Sequence, residues 1–182
     1  MWRDNTAAIT ETLRAYREAM TTTSTSDAPE TDDRDPAALV PIALQEVLRL
    51  AGTWLCWDGI ARYGDGNAWT PHKALRRVTD HLLDHLTEID MVLAGAPPVS
   101  DTWHGRTVTL DADWSRFTEA DLDEAGSRLR RYAELFRIRL SQLSTEELDR
   151  PRPGAWTIRQ IAHHVSNVAW YARQVGDLTA SG

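Results

Sequence analysis

The feature that most constrains this chain is a helical repeat of apolar residues. Leu75, Val78, Leu82, Leu86 and Ile89 fall three or four positions apart, so they line one face of an α-helix. The same spacing recurs at Leu122, Leu129, Tyr132, Leu135, Phe136 and Leu140, and again at Ile158, Ile161, Val165, Val168 and Val175. No long run alternates with the period of two that a half-buried strand requires. Each stripe must cover another, and the economical solution is helix on helix.

Start signals bound these helices. Thr70-Pro71 supplies an N-cap, followed by a proline where its missing N–H would have no partner. Thr118 with Asp121, and Thr157 with Gln160, read as capping boxes, the first opening a helix to about Leu143. Upstream, "ALVPIALQEVLRLAGTWLCWDGIARY" reads as a long apolar helix starting just before Pro41, with Gly52 and Gly59 weakening its continuity. "GDGN" (Gly64 to Asn67) is a turn, and "RTVTLDA" is a candidate short strand or extended segment. The reading is an all-α four-helix bundle over residues 37–178. A modest extra N-terminal helix occupies residues 1–21, and a polar, acidic, flexible linker occupies 22–36.

Composition narrows the function. With 27 acidic and 20 basic residues the net charge is -7, which argues against nucleic-acid binding and for solubility. The start "MWRDNTAAIT" has no signal-peptide core, and no run reaches the roughly 18 apolar residues of a membrane span. The one cysteine, Cys56, excludes an intrachain disulfide and reads as a buried inert thiol. The expectation is a soluble cytoplasmic protein without membrane or nucleic-acid partners.

The six histidines are unequal. His104 has no evident partner, and His72 sits among polar neighbours; both read as surface residues. His81 and His85, at i and i+4, stack on the face that carries Val78 and Ile89, and two such imidazoles can serve one metal ion. His164 lies between Ile161 and Val168 on the core side of the last helix, and His163 is about 100° further round. Bundles commonly build metal sites from facing helices, which makes metal ligation and structural histidines comparably good readings of this set. Glu88, three residues beyond His85, is either an outer acceptor that orients an imidazole, a further ligand, a proton carrier or a solvent-facing carboxylate. Asp80 and Asp84 are expected to face water. Trp170 and Tyr171 are expected to pack at the core boundary rather than line a pocket.

Two segments resemble a known family. "LSQLSTEELDRPRPGAWTIRQIAHHVSNVAWYARQV" resembles the opening half of the DinB/YfiT-like superfamily. There a helix, an acidic turn, a proline-glycine stretch and a Trp-Ser/Thr cap precede a metal-binding histidine eight residues after the tryptophan. Counting from Trp156 gives His164. "WTPHKALRRVTDHLLDHLTEI" resembles that family's last bundle helix, whose HxxxH motif matches His81 and His85. The resemblance covers residues 128–175 and 69–89, with the family's two halves in exchanged order and joined by residues 94–117. It implies a small, often dimeric bundle with a divalent ion, zinc or nickel foremost and iron as a further option. It also implies a small-molecule electrophile and a low-molecular-weight thiol cosubstrate of the mycothiol or bacillithiol kind. A hydrolase or isomerase on the same three histidines, or a non-catalytic bundle, are the alternatives.

Overall fold

The computed structural model describes residues 34–103 and 105–179. The helix expected over residues 1–21, most of the linker at 22–36 and His104 lie outside the described residues. Within them the chain is mostly helical, and its one sheet is a two-stranded hairpin.

Helix α1 (Pro36–Gly52) starts earlier than just before Pro41. The Asp35 carboxylate accepts from the Ala37 N–H at 3.0 Å, and Pro36 stands at the first helical position. Pro41 is therefore inside the helix, where it forgoes the bond to the Ala37 carbonyl. Val40, Leu44, Val47 and Leu50 are buried. Pro36–Cys56 has the length and apolarity of a membrane span (mean hydropathy 1.3), but that run is accounted for by a core helix with much of its surface buried by the rest of the protein.

The apolar stretch does not continue as helix to Tyr63. At Gly52 the chain tightens into a 3-10 turn over Thr53–Cys56. The change of pitch turns Trp54 into the core and leaves Cys56 exposed, so the expected buried thiol is corrected. Strands β1 (Arg62–Gly64) and β2 (Asn67–Trp69) then pair antiparallel, Arg62 with Trp69 and Gly64 with Asn67. Asp65 and Gly66 between them both have positive φ (49° and 70°), as a primed two-residue hairpin turn demands.

Helix α2 (Pro71–Leu93) starts at the Thr70 cap, whose hydroxyl accepts from the Lys73 N–H at 3.2 Å. Its stripe Leu75, Val78, Leu82 and Ile89 is buried. Among the described residues the connection that follows carries no strand; "RTVTLDA" ends in a 3-10 turn, Asp111–Trp114. Arg76 fastens this connection to α2. Its guanidinium donates to Asp113 at 2.6 and 3.2 Å, and to the carbonyls of Gly105, Arg106 and Val108.

Helix α3 (Glu119–Ser141) opens at the Thr118–Asp121 capping box. Leu129, Phe136 and Leu140 are buried, but Leu135 is 51% exposed. One residue from Phe136 it sits about 100° away, off the buried face. A single turn, α4 (Thr145–Asp149), leads to α5 (Ile158–Val165) and α6 (Ala169–Val175). The last helix is thus two pieces. Between them Asn167 and Val168 donate to the carbonyls three residues back, tighter than α-helical bonding. Ile158, Ile161, Val165, Val168 and Val175 are nonetheless all buried.

Helix α1 packs against α3, α5 and α6, and α2 packs against α5 and α6. The α2–α5 contact is what places histidines from distant parts of the chain side by side.

Candidate metal centre

His81 and His85 project from successive turns of α2, and His164 from the last turn of α5. Their rings meet: centroids are 4.7 Å apart for His81–His85, and 4.9 Å for each of them with His164. One nitrogen from each ring lies within 4.8 Å of the other two. His163 is not part of this cluster; its carbonyl accepts from the Ser166 hydroxyl at 2.6 Å.

Burial governs the electrostatics. His81 is 7% exposed, and His85 and His164 are half-buried. Desolvation, followed by the charges of His85, His164, Arg77 and Arg106, pushes the His81 pKa down to about 2. Desolvation, then His85, takes His164 down to about 4, with Glu88 opposing. Both rings are therefore neutral at neutral pH and keep a lone pair for a metal ion.

Glu88 takes one of the roles the sequence leaves open. Its Oε2 is 3.0 Å from His85 Nδ1, and its Oε1 is 3.4 Å from Arg152 Nη1. The hydrogen bond from His85, then that residue's charge and Arg152, hold the Glu88 carboxyl below its usual range despite burial. An ionised acceptor on Nδ1 fixes the proton there and leaves Nε2 for the site, the usual arrangement around a metal-bound histidine.

Two neighbours have no signal in the helical spacing of the histidines, and a third has one that went unused. Trp156, 45% exposed, packs its ring 4.6 Å from His164 and lies nearly parallel to His85 at 6.4 Å. Arg152 Nη1 donates to the Trp156 carbonyl at 2.7 Å, tying that loop to Glu88. Arg77 was visible in principle, because Lys73, Arg77, His81 and His85 form one i, i+4 ladder. It is buried, lies 5.0 Å over the Tyr171 ring and donates to the Tyr171 hydroxyl at 3.2 Å. Tyr171, half-buried against the core as expected of a boundary residue, has its ring 5.6 Å from that of His81.

Other expectations are corrected. Asp84 does not face water freely: it is half-buried and pairs with Arg106 at 2.9 Å. Asp80 is half-buried too, and that burial raises its pKa. His72 is half-buried, its ring 5.4 Å from Phe117.

The donor set fits a divalent ion. Nitrogens around tetrahedral zinc at 2.0–2.1 Å stand about 3.3 Å apart, so the three rings would close by up to about 1.5 Å, within reach of small side-chain rotations. Fold and site together define a mostly helical protein with a partly buried three-histidine cluster that could hold a metal ion. Comparison with protein-family models, curated proteins and solved structures finds no match to this chain.

Proposed function

We propose that this chain is a divalent-metal-dependent enzyme of DinB-like, four-helix-bundle type. In this reading it transfers a low-molecular-weight thiol to an electrophilic small molecule at His81, His85 and His164. The observation that carries the reading is the convergence of three histidine nitrogens within 4.8 Å from two separate helices. A divalent ion bound there would act as a Lewis acid, lowering the pKa of a coordinated thiol and so supplying a nucleophile at neutral pH.

The chain's own residues prepare that chemistry. Burial keeps His81 and His164 unprotonated. Glu88 orients His85 and offers a negative partner for its N–H. Arg77 and Arg106 place positive charge close enough to His81 to depress its pKa, and the same field favours an anionic nucleophile in the site. Trp156 packs its ring against His164 and lies over His85 on one side. The exchanged order of the DinB-like halves is compatible with this site, because α2 and α5 meet directly.

The test is metal analysis of the purified chain combined with thiol consumption against a model electrophile such as monochlorobimane. Zinc or nickel at one per chain, with turnover that disappears in His164→Ala, supports the reading. Metal without thiol turnover shifts it to a hydrolase or isomerase on the same site. Neither metal nor turnover leaves a non-catalytic bundle.

A further inference from the structure

We infer that a second cavity, beside the triad, binds a small apolar carboxylate. A groove of about 300 Å³ is walled by Val92, Leu93, Ala96 and Ile158, with Arg150 and Arg152 at its polar side. That volume is at the small end of ligand sites, and apolar walls with a few polar groups are their usual make-up. The groove also contains Glu147, but this carboxylate is engaged: its Oε2 accepts from the Ser144 N–H and hydroxyl, both at 2.8 Å, as the cap of α4. Arg152 also uses one nitrogen, Nη1, for the Trp156 carbonyl at 2.7 Å and for Glu88 at 3.4 Å; the rest of its guanidinium and the exposed Arg150 face a ligand, and they select an anion.

Arg152 connects the groove to the triad. Its contact with Glu88 is long, 3.4 Å, whereas Glu88 is 3.0 Å from His85. A ligand carboxylate that takes over the Arg152 guanidinium leaves Glu88 a stronger acceptor for His85 N–H, which makes His85 a better metal donor. The positive charge of a bound ion attracts the ligand anion in addition. Both effects have the same sign, so anion and metal bind with positive coupling, and the coupling is reciprocal. The coupling rests on the metal reading above; the groove itself does not. The bound molecule is then a substrate or effector with an apolar body and one carboxylate.

The probes are octanoate, octan-1-ol and octylammonium, titrated calorimetrically into the full-length chain, first chelator-treated and then zinc-loaded. The expected result is octanoate binding about ten-fold or more tighter than the alcohol, with octylammonium weaker still. Arg152→Gln removes the preference for octanoate while retaining octan-1-ol. Zinc loading tightens octanoate several-fold, a normal size for coupled sites. Octanoate binding no tighter than octan-1-ol or octylammonium in the wild-type chain overturns the groove proposal, whether or not Arg152→Gln folds. Equal octanoate affinity in wild type and a folded Arg152→Gln overturns it as well. A chain that binds octanoate selectively but takes up no zinc contradicts the metal reading and the coupling, and supports the groove alone.

Discussion

Glu88 shows how much one residue can decide. It is a half-buried carboxylate held between His85 and Arg152, and it sets which His85 nitrogen faces the site. Glu88→Ala is expected to weaken zinc binding about 10–100-fold with the helical circular dichroism preserved, as measured by competition with a colorimetric chelator. Glu88→Gln, which keeps an acceptor but loses the charge, is expected to fall between that variant and wild type. The buried histidines give a second prediction. His81 and His164 have folded pKa values of about 2 and 4, below the ordinary 6.5, so at mildly acid pH the unfolded chain binds more protons than the folded one. Their contribution to stability is whole above pH 6.5 and falls as pH drops from there through about 4, by up to about 1.4 kcal/mol per pH unit for each histidine. Urea denaturation of the chelator-treated protein between pH 7.5 and 4.5 checks this. A midpoint that stays level or rises on acidification, in His164→Ala as in wild type, speaks against buried neutral imidazoles. The histidines were readable from spacing because helical phase alone places His81 above His85 and turns His164 inward. Arg152 and Trp156 were not, because a proline-glycine loop with no periodicity carries them.

At the scale of elements, helix starts were the most legible features. Thr70, Thr118 and Thr157 all cap as their sequence contexts indicate, since capping depends on residues only three positions apart. Pitch changes were not legible. The tightening after Gly52 exposes Cys56, and the tightening at Ser166–Val168 divides the last helix, yet neither leaves a mark in an apolar stripe. The hairpin escaped for another reason: three residues per strand are too few to display alternation. The Arg76–Asp113 clamp is the element-scale contact with the clearest consequence. Both side chains are largely buried, at 17% and 5% exposure, so removing one partner strands the other. Asp113→Ala is expected to cost about 2–4 kcal/mol in chemical denaturation. It should also raise amide exchange across residues 105–114 before exchange rises in α1. Unchanged exchange in that segment would mean the clamp does not hold the connection.

At the scale of the whole chain, the fold brings α2 against α5 although some eighty positions separate their histidines (from 81 and 85 to 164). All-α character was legible from periodicity, but which helices touch depends on side-chain packing between faces that look alike in sequence. The apolar faces of α1, α2, α3 and α5 supply the core, so the protein is expected to fold without metal, unlike a zinc finger. Chelator treatment should therefore leave the helical circular dichroism in place while lowering the melting midpoint, by an amount set by zinc concentration relative to its dissociation constant. The central claim, that these helices meet in order to hold a metal ion, is tested most directly by bound zinc per chain. Wild type, His163→Ala and His164→Ala would each be dialysed against buffered zinc and analysed by plasma mass spectrometry. The account predicts one zinc in wild type and in His163→Ala, and background in a folded His164→Ala. Full occupancy in His164→Ala, or equal loss in both variants, would contradict it.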